Sequence, residues 1–259
     1  MYDLHAHILP GVDDGANTLD DAIEMAHVAV ASGTKTMLAT PHREDVNKNL
    51  SVSLVQSYLE DLNCELEKRE IELQILLGME NHLDPELPAD LLNRRALSIN
   101  NSRYALVELP FFGSPNYVDE VLFQLQLQGV TPVLAHPERI EMIQRNPEIL
   151  ASFVERGMLS QITAGSIVGH FGGKVKRFTH RLMRRGLVHI IASDTHYPNG
   201  PRSPIMSPGA EAAVRIVGSE SAQAMVVDTP KAILEDLSVE VEPPTKTDWP
   251  SRWWSLLRS

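Results

Sequence analysis

The sequence lacks the features that mark disulfide-rich, membrane-spanning or nucleic-acid-binding proteins. Its 259 residues include a single cysteine, Cys64, which excludes an internal disulfide framework and a multi-cysteine metal cluster. No run of 18 apolar residues occurs, so no transmembrane segment is expected. Basic residues are in the minority, with 23 Lys and Arg against 34 Asp and Glu and a net charge of −11, which argues against nucleic acid as the main partner. No basic or apolar leader precedes the first predicted strand, so we expect a cytoplasmic protein.

Short apolar runs alternate with amphipathic stretches of helical length. The apolar runs predict seven strands, at residues 2–5, 35–40, 74–80, 104–109, 131–136, 159–163 and 188–193. Helices are predicted between them, at residues 50–69, 117–128, 147–156 and 174–185. Alternation of this kind is typical of a parallel sheet covered by helices. Seven such units favour an α/β fold with one distorted seven-stranded (β/α) barrel over two separate domains.

The clearest predicted helix lies after the first strand. Thr18 is a good N-cap and Asp21 follows three residues later, which is the pattern of a capping box. The helix is expected to end at Gly33 and to bury one apolar face that includes Leu19 and Val30.

Metal-binding residue types recur at the carboxyl ends of the predicted strands. In a parallel barrel these ends converge on one face, where the active sites of such folds lie. The pairs His5/His7 and Asp194/His196 are spaced i, i+2, which points both members of a pair to one side of an extended chain. Any one of these residues alone is equally compatible with a buried structural role, but their joint placement predicts a site for divalent metals. The strand-end residues are His5, His7, His42, Glu80, Glu108, His136, Asp194 and His196.

The remaining histidines do not share this placement. They fall on predicted helices, in loops or within a strand, and we expect structural roles for them. They are His27, His82, His170, His180 and His189.

The ordered motifs DLHAHILPGVDDG, ATPH, GME, AHPER and SDTH followed by PRSP resemble the PHP (polymerase and histidinol phosphatase) fold. More narrowly, they resemble the bacterial manganese-dependent protein tyrosine phosphatases of capsule and exopolysaccharide loci. The resemblance covers residues 1–237 and leaves residues 238–259 as a C-terminal tail without an assigned role. It implies a distorted seven-stranded barrel that carries three divalent metals, with the active site at the carboxyl ends of the strands.

The resemblance also implies a ligand set for each metal. Manganese is the metal it implies, while nitrogen and oxygen ligands suit iron, cobalt and zinc as well. Asp13 is an alternative to its neighbour Asp14, because the two are adjacent. The implied ligands are His5, His7, Glu80 and Asp194 for the first metal, Glu80 as a bridge with Glu108 and His136 for the second, and Asp14, His42 and His196 for the third.

Such a site suits the hydrolysis of a phosphate monoester. Close metals lower the pKa of a bridging water to about 7, so that it can act as the nucleophile, and they clamp the transferring phosphoryl group. Arg139 and Arg202 follow two of the ligands, and the resemblance assigns phosphate binding to both. Asp14 or a water is the candidate proton donor to the leaving oxygen. Phe111 and Phe112, in the loop after the fourth predicted strand, either stack on a substrate phenyl ring or cover the barrel mouth.

Three functions remain open from the sequence. The resemblance implies a phosphatase that acts on phosphotyrosine in proteins, with a tyrosine autokinase that controls capsule or exopolysaccharide synthesis or export as the substrate. A small-molecule phosphatase of the same fold, such as a histidinol phosphatase, is a second candidate. Glu108 argues against it, because the resemblance to that branch implies a histidine at this position. The third is a non-catalytic, metal-stabilised interaction module.

Other features are less specific. Cys64 is not expected to be a nucleophile, because Glu70 stands six residues later, where thiol phosphatases carry an arginine; we expect it to pack within a helix. The basic stretch within residues 172–186 predicts a solvated helix face, or alternatively an interface with an acidic partner or a second copy of the chain. The tail holds every tryptophan, and it is either inert or a docking segment.

Overall fold

Strands and helices alternate along the chain in the computed structural model, which describes residues 1–243. Two 3₁₀ turns, at Ile99–Asn101 and Pro137–Arg139, and a π-helical segment at Ala224–Asp228 interrupt the alternation. The strands in this part of the chain are β1 (Tyr2–Ala6), β2 (Thr36–Ala39), β3 (Gln74–Leu77), β4 (Asn81–His82), β5 (Tyr104–Glu108), β6 (Thr131–Ala135), β7 (Leu159–Thr163) and β8 (Ile190–Ala192). The helices are α1 (Leu19–Ala31), α2 (Arg43–Asn49), α3 (Val52–Lys68), α4 (Leu87–Leu92), α5 (Val118–Leu127), α6 (Glu141–Arg145), α7 (Glu148–Glu155), α8 (Ala164–Val168), α9 (Gly172–Arg184), α10 (Ser207–Val217), α11 (Ser219–Gln223) and α12 (Thr229–Leu234).

All strand pairings among the described residues are parallel, as the alternation predicts. The predicted single barrel of seven strands is not confirmed, because residues 1–243 form eight strands in two sheets, β1-β2-β3 and β4-β5-β6-β7-β8. The strand predicted at residues 74–80 is shorter in the structure: β3 ends at Leu77, and β4 begins at Asn81, beyond the predicted run. Isolated parallel bridges join the two sheets, Ala6 with Thr195 and His42 with Glu80. The carboxyl ends of all the strands therefore still point to one face.

The core has two parts, as expected for strands buried on both faces. Alternate strand residues, among them Leu4, Leu38 and Leu106, form a smaller cluster with Ile233 of α12. The opposite strand faces pack against the outer helices in a larger cluster, to which Met37 and Ile75 belong.

Helix α1 begins as predicted. The Thr18 side chain accepts a hydrogen bond from the backbone N–H of Asp21, and the Asp21 carboxylate accepts one from the backbone N–H of Thr18, so the capping box is present. Leu19 was predicted to be buried and is instead exposed, since it lies in the first turn before the helix reaches the core. Val30 is partly buried, and the helix ends at Ala31, two residues before Gly33.

Three further expectations concern the surface. Cys64 lies on α3, but the prediction that it packs is wrong, because its position on the helix is exposed. The basic stretch forms α9, which buries Phe178, Leu182 and Met183 and so has the predicted amphipathic character. Within the tail, Val239 N donates a hydrogen bond to Tyr104 Oη at 3.0 Å. The tryptophans Trp249, Trp253 and Trp254 lie outside the described residues.

No helix within residues 1–243 combines the length and the apolar character needed to cross a membrane.

Candidate metal centre

The strand-end residues singled out from the sequence meet in one cluster. Each reaches it from the carboxyl end of a strand or from the loop that follows, including Glu80 in the loop between β3 and β4. Most of these side chains are buried. The cluster contains all eight of them: His5, His7, His42, Glu80, Glu108, His136, Asp194 and His196.

Glu80 occupies the middle of the cluster. Its Oε2 lies 3.2 Å from both His5 Nε2 and His7 Nε2. The Nδ1 of His42 is 3.2 Å from the same oxygen. The other carboxylate oxygen, Oε1, lies 3.0 Å from His136 Nε2. The two oxygens of Glu80 therefore face different groups of imidazoles, as a bridging carboxylate requires.

A second carboxylate, Glu108 at the end of β5, extends the cluster on the Oε1 side of Glu80. Glu108 Oε1 lies 3.4 Å from His136 Nε2. Glu108 Oε2 lies 3.5 Å from Nδ1 of His82, a histidine for which the sequence predicted only a structural role. Asp194 lies on the opposite side, with its Oδ1 3.6 Å from His5 Nε2 and 3.8 Å from His7 Nε2.

The adjacent residues Asp13 and Asp14 have different neighbours. Asp14 Oδ1 lies 3.1 Å from His196 Nε2 and 3.4 Å from His42 Nε2. Asp13 instead pairs with the far side of the His7 ring, where its Oδ2 is 2.6 Å from Nδ1, and the same oxygen accepts the backbone N–H of His42. This arrangement places Asp14 among the candidate ligands and Asp13 behind one, where carboxylates commonly orient a ligating histidine.

The loop that carries these two aspartates packs tightly on His7. Ala16 N donates to His7 O at 3.0 Å, and Gly15 N donates to Asp13 Oδ1 at 3.0 Å. A Cβ atom at position 15 would lie 2.0 Å from His7 O, so only glycine fits there.

The donor set fits divalent cations. Three groups have ligand atoms that all lie within 4.8 Å of one another: His7 with Asp14, His42 and His196; His5 with His7 and Glu80; and Glu80 with Glu108 and His136. Ligand atoms bonded at about 2.1 Å to one ion are about 3.0–3.4 Å apart, and the contacts around Glu80 have this spacing. Imidazole nitrogens and carboxylate oxygens without thiolates suit manganese, iron, cobalt or zinc.

Two residues of the cluster have unusual backbone conformations. His136 has φ 32° and Asp194 has φ 52°, both in the left-handed region that residues other than glycine seldom adopt. His136 directly follows β6, and Asp194 lies two residues after β8. The backbone turns at these positions and directs both side chains into the cluster. Strain of this kind is typical of functional positions, where the surrounding structure holds it in place.

The electrostatics keep the carboxylates ionised. Burial alone would raise the pKa of Asp194 and Glu80, but the positive field of His5 and further neighbours lowers the pKa of both. Hydrogen bonds from His196 and then His42 lower the pKa of Asp14 well below its usual range. All three carboxylates are therefore negative at neutral pH, as cation ligands must be.

The pKa values of the histidines are shifted in opposite directions. Burial alone would lower the pKa of His136, but its contacts with Glu108 and Glu80 raise it to about 10. The pKa of His7 is likewise raised, against the effect of burial, chiefly by the Asp13 carboxylate. Burial lowers the pKa of His196, which favours its neutral form. The raised pKa values of His7 and His136 favour protonated imidazoles beside the carboxylates of the cluster.

Both candidate phosphate-binding arginines reach the cluster. Arg139 Nη1 donates to Asp194 Oδ2 at 2.6 Å, and Arg202 Nη2 donates to Asp194 Oδ1 at 3.0 Å. Arg202 Nη2 also lies 2.6 Å from His196 Nε2. Two guanidinium groups therefore converge at the partly exposed rim of the site, where an anionic substrate would enter.

The two candidate aromatic residues have different positions. The Phe111 ring stacks on His136 with 5.3 Å between centroids and an interplanar angle of 19°, and Arg139 Cζ lies 5.2 Å from its centroid. Phe112 is 83% exposed. Phe111 therefore supports two residues of the site, while Phe112 is the ring that remains open to a ligand.

Sequence reasoning missed one buried neighbour. Gln161 Oε1 lies 2.9 Å from His5 Nδ1, on the opposite side of that ring from the cluster. Gln161 lies in the middle of β7, so the strand-end pattern could not single it out. The available signal was an amide side chain within an otherwise buried strand, where a polar group needs a partner.

Comparisons with known proteins show which family the chain resembles. A family model described as capsular polysaccharide synthesis, CpsB/CapC, matches residues 1–235. The chain is 45% identical over 197 residues to the tyrosine-protein phosphatase YwqE of Bacillus subtilis, covering 76% of this chain and 77% of that one. It is 28% identical over 241 residues to the tyrosine-protein phosphatase CpsB of Streptococcus agalactiae, covering 91% and 99%.

A solved structure is also similar to this chain. It belongs to a crystallographic description of YwqE from Bacillus subtilis and CpsB from Streptococcus pneumoniae as metal-dependent tyrosine phosphatases. Its TM-score with this chain is 0.89 at 37% identity, and the match covers 96% of this chain and 100% of the other.

Proposed function

The chain belongs to the CpsB/CapC family of capsular polysaccharide synthesis, and on that premise we propose that it is a metal-dependent phosphatase that hydrolyses phosphotyrosine in proteins. The observation that carries this proposal is the buried cluster of histidines and carboxylates centred on Glu80, with two arginines at its rim. Such a cluster supports phosphate ester hydrolysis and offers no thiol nucleophile, since Cys64 is exposed on α3.

We assign the ligands as three sets, of which the first two share Glu80. Bound divalent cations would neutralise the phosphate and lower the pKa of a water that attacks phosphorus. The short contacts around the two oxygens of Glu80 support its role as the bridge between two of the sets. The sets are His5, His7, Glu80 and Asp194; Glu80, Glu108 and His136; and Asp14, His42 and His196.

The arginines bind the phosphoryl group of the substrate. The guanidinium groups of Arg139 and Arg202 donate to opposite oxygens of Asp194, so their donors point to one region of the site. Planar guanidinium donors match phosphate oxygens in pairs, and they stabilise the negative charge that these oxygens carry during transfer.

Asp14 fits the role of ligand better than that of proton donor. The hydrogen bonds that lower its pKa come from His196 and His42, and they leave no proton on the carboxylate at neutral pH. A tyrosine leaving group has a pKa of about 10, so it departs with less protonation than an alkoxide would need. We therefore assign the proton for the leaving oxygen to water.

The two aromatic side chains have different roles in this proposal. We propose that Phe112, which is exposed in the loop after β5, stacks on the phenyl ring of phosphotyrosine. Phe111 is held against His136 and Arg139, so we assign to it support of the phosphate-binding arginine, with the substrate ring as a second contact.

The finer details of the function are also proposals. We propose manganese as the metal, three ions as the full complement, and a tyrosine autokinase of capsule or exopolysaccharide synthesis as the substrate. We also propose a cytoplasmic location and assembly of several copies of the chain.

Phosphate release from a phosphotyrosine peptide tests the proposal directly. The manganese-loaded protein is expected to turn over this peptide in preference to histidinol phosphate. Arg139→Ala and Arg202→Ala should each lower kcat/KM by about 100-fold, the usual cost of a lost charge-stabilising donor. Cys64→Ser, on the exposed face of α3, is the matched control and should retain full activity.

Two results would contradict the proposal. Preference for histidinol phosphate would identify a small-molecule phosphatase. Absence of turnover on both substrates, at full metal occupancy, would identify a non-catalytic metal-binding protein.

A further inference from the structure

The turn between α8 and α9 touches the guanidinium group of Arg139. Phe171, the residue before α9, has its ring centroid 4.7 Å from Arg139 Cζ. The Phe111 ring lies on the same guanidinium group at 5.2 Å. Arg139 is thus held by two aromatic rings as well as by Asp194. Rings at this distance attract a guanidinium cation and restrict its orientation.

The same turn also touches the loop that carries Arg202. His170, next to Phe171, has its Nδ1 3.2 Å from the carbonyl oxygen of Pro201. Since a carbonyl can only accept, His170 Nδ1 is the donor. Pro201 immediately precedes Arg202, so this hydrogen bond fixes the backbone from which the second guanidinium group extends.

The Arg202 loop also has hydrogen bonds at other points along it. At its base, the carbonyl oxygen of Arg202 accepts hydrogen bonds from the backbone N–H of His196 at 2.9 Å and from Thr195 Oγ1 at 3.0 Å. A cavity of about 370 Å³ lies beside the loop and is lined by Pro198, Gly200, Ser203 and His170 among others. Since this cavity leaves part of the loop without packed neighbours, the hydrogen bond from His170 is a direct link between the loop and the turn.

Gly165 leaves space where the turn between α8 and α9 contacts the Arg202 loop. A Cβ atom at position 165 would lie 3.1 Å from His170 Nδ1, 3.3 Å from the Phe171 ring and 3.3 Å from the carbonyl oxygen of Pro201. The buried Gly165 of α8 therefore lets the turn and the Arg202 loop approach each other closely.

We propose that His170 and Phe171 are positioning residues that hold both phosphate-binding arginines in register, Phe171 through the Arg139 guanidinium and His170 through the Arg202 backbone. The inference rests on the proposed function, because it concerns the arginines that bind the phosphoryl group there. His170 acts on Pro201 and Phe171 acts on Arg139, and neither of these partners is a candidate metal ligand. Their effect should therefore appear in phosphate binding and leave the metal content unchanged.

Phe171→Leu tests the first half of the proposal, because leucine fills space but offers no ring face. We expect KM for a phosphotyrosine peptide and the inhibition constant of inorganic phosphate to rise about three- to tenfold. The metal content and the thermal unfolding temperature should stay unchanged. Phe171→Tyr keeps the ring and should restore wild-type constants. Phe123→Leu, on an exposed face of α5, is the matched control.

His170→Leu tests the second half. Loss of the donor should raise the same two constants severalfold, and His170→Asn should restore them, because the asparagine amide N–H₂ takes the place of Nδ1–H. His27→Asn, an exposed histidine substitution on α1, is the control for loss of an imidazole.

Combination with arginine variants separates this inference from the proposed function. In an Arg139→Ala background, Phe171→Leu should have no further effect on inhibition by phosphate, because its target is gone. If Arg139→Ala and Arg202→Ala leave phosphate inhibition as in the wild type, the assigned role of the arginines is wrong. If they weaken it while Phe171→Leu and His170→Leu do not, or if Phe171→Tyr and His170→Asn fail to restore it, the positioning role is wrong.

Discussion

Individual side chains around the cluster act in two layers. The inner layer holds groups that face one another at ligand spacing, such as Glu80 and His136. The outer layer fixes the rings from behind, as Asp13 does for His7 and Gln161 does for His5. A partner behind a ligating histidine sets the tautomer and orientation of its ring, so a change there weakens metal binding without removing a ligand.

The two adjacent aspartates allow this distinction to be tested. Asp14→Asn should bind fewer equivalents of metal than the wild type, because it removes a candidate ligand beside His42 and His196. Asp13→Asn should bind the same number of equivalents with an affinity about 10- to 100-fold weaker. Metal titration followed by elemental analysis measures both quantities. Loss of an equivalent in Asp13→Asn, with none lost in Asp14→Asn, would reverse the assignment.

Another single residue, His189, contributes to the loss of stability in acid. Burial lowers its pKa to about 4, and its Nδ1 accepts the backbone N–H of Ser160 at 3.0 Å. An unfolded chain binds a proton at this residue near pH 6.5, whereas the folded protein does so only near pH 4, so stability is lost as the pH falls between these values.

His189→Asn should abolish this loss, because asparagine keeps an acceptor and does not titrate. We expect the free energy of unfolding of the variant, relative to the wild type, to rise by about 2 kcal/mol between pH 7.5 and pH 4.5. Urea unfolding with a chelator present measures it, and His27→Asn serves as the control. A difference that does not change with pH would show that His189 titrates alike in both states.

Among the secondary-structure elements, strands were predicted better than their interruptions. The run 159–163 matches β7, and β1, β2, β5 and β6 differ from their predicted ranges by one residue at an end or both. The end of β3 within the run 74–80 could not be predicted from the sequence. Gly78 and Met79 continue the apolar character of Leu77, although the strand ends at Leu77. Gly78 lies at this break, and Leu38 Cδ2 would be 2.8 Å from a Cβ there.

Short helices such as α2 and α8 were also missed. Each spans two turns or fewer, too short for a helical period to emerge. Strand ends were visible because buried parallel strands are apolar and the site residues interrupt that pattern. The contacts behind the ligands were invisible, because they join residues far apart in sequence.

The loop between β1 and α1 carries Asp13 and Asp14 and packs on His7, so its conformation determines the position of candidate metal ligands. Gly15→Ala should displace this loop, because its Cβ would overlap the carbonyl of His7. We expect loss of the metal that the Asp14 set would hold and a marked loss of phosphatase activity. Metal analysis and peptide turnover on the same sample check both.

Thr18→Ala separates this effect from a general weakening of the helix start. It removes the capping box of α1 and should cost about 1 kcal/mol of stability while metal content stays at the wild-type level. Equal metal content in Gly15→Ala and the wild type would contradict the role given to the loop.

For the protein as a whole, the cluster lies where the two sheets meet. His5 lies in β1 and His42 follows β2 of the first sheet, whereas Glu108 ends β5 and His136 follows β6 of the second. Glu80 lies between β3 and β4. Cations held by this set would cross-link the sheets in the folded state only. Metal binding should therefore stabilise the whole fold by mass action.

Removal of metal should lower the thermal unfolding temperature in one cooperative step. At a free metal concentration 100 times the dissociation constant, the stabilisation is about 2.7 kcal/mol for a single site. Differential scanning calorimetry with and without chelator measures it. The acidic balance of the chain agrees with this picture, since four of its 34 acidic residues are assigned as ligands. An unfolding temperature unaffected by metal would argue against cross-linking of the sheets.

The most direct test measures bound metal and phosphotyrosine turnover on the same samples, for the wild type and His136→Ala. We predict that turnover rises with metal occupancy and disappears on chelation, and that His136→Ala loses metal together with more than about 100-fold of its activity, since changes behind a ligand alone cost 10- to 100-fold. Full turnover by metal-free protein, or by a His136→Ala variant with depleted metal, would contradict the account.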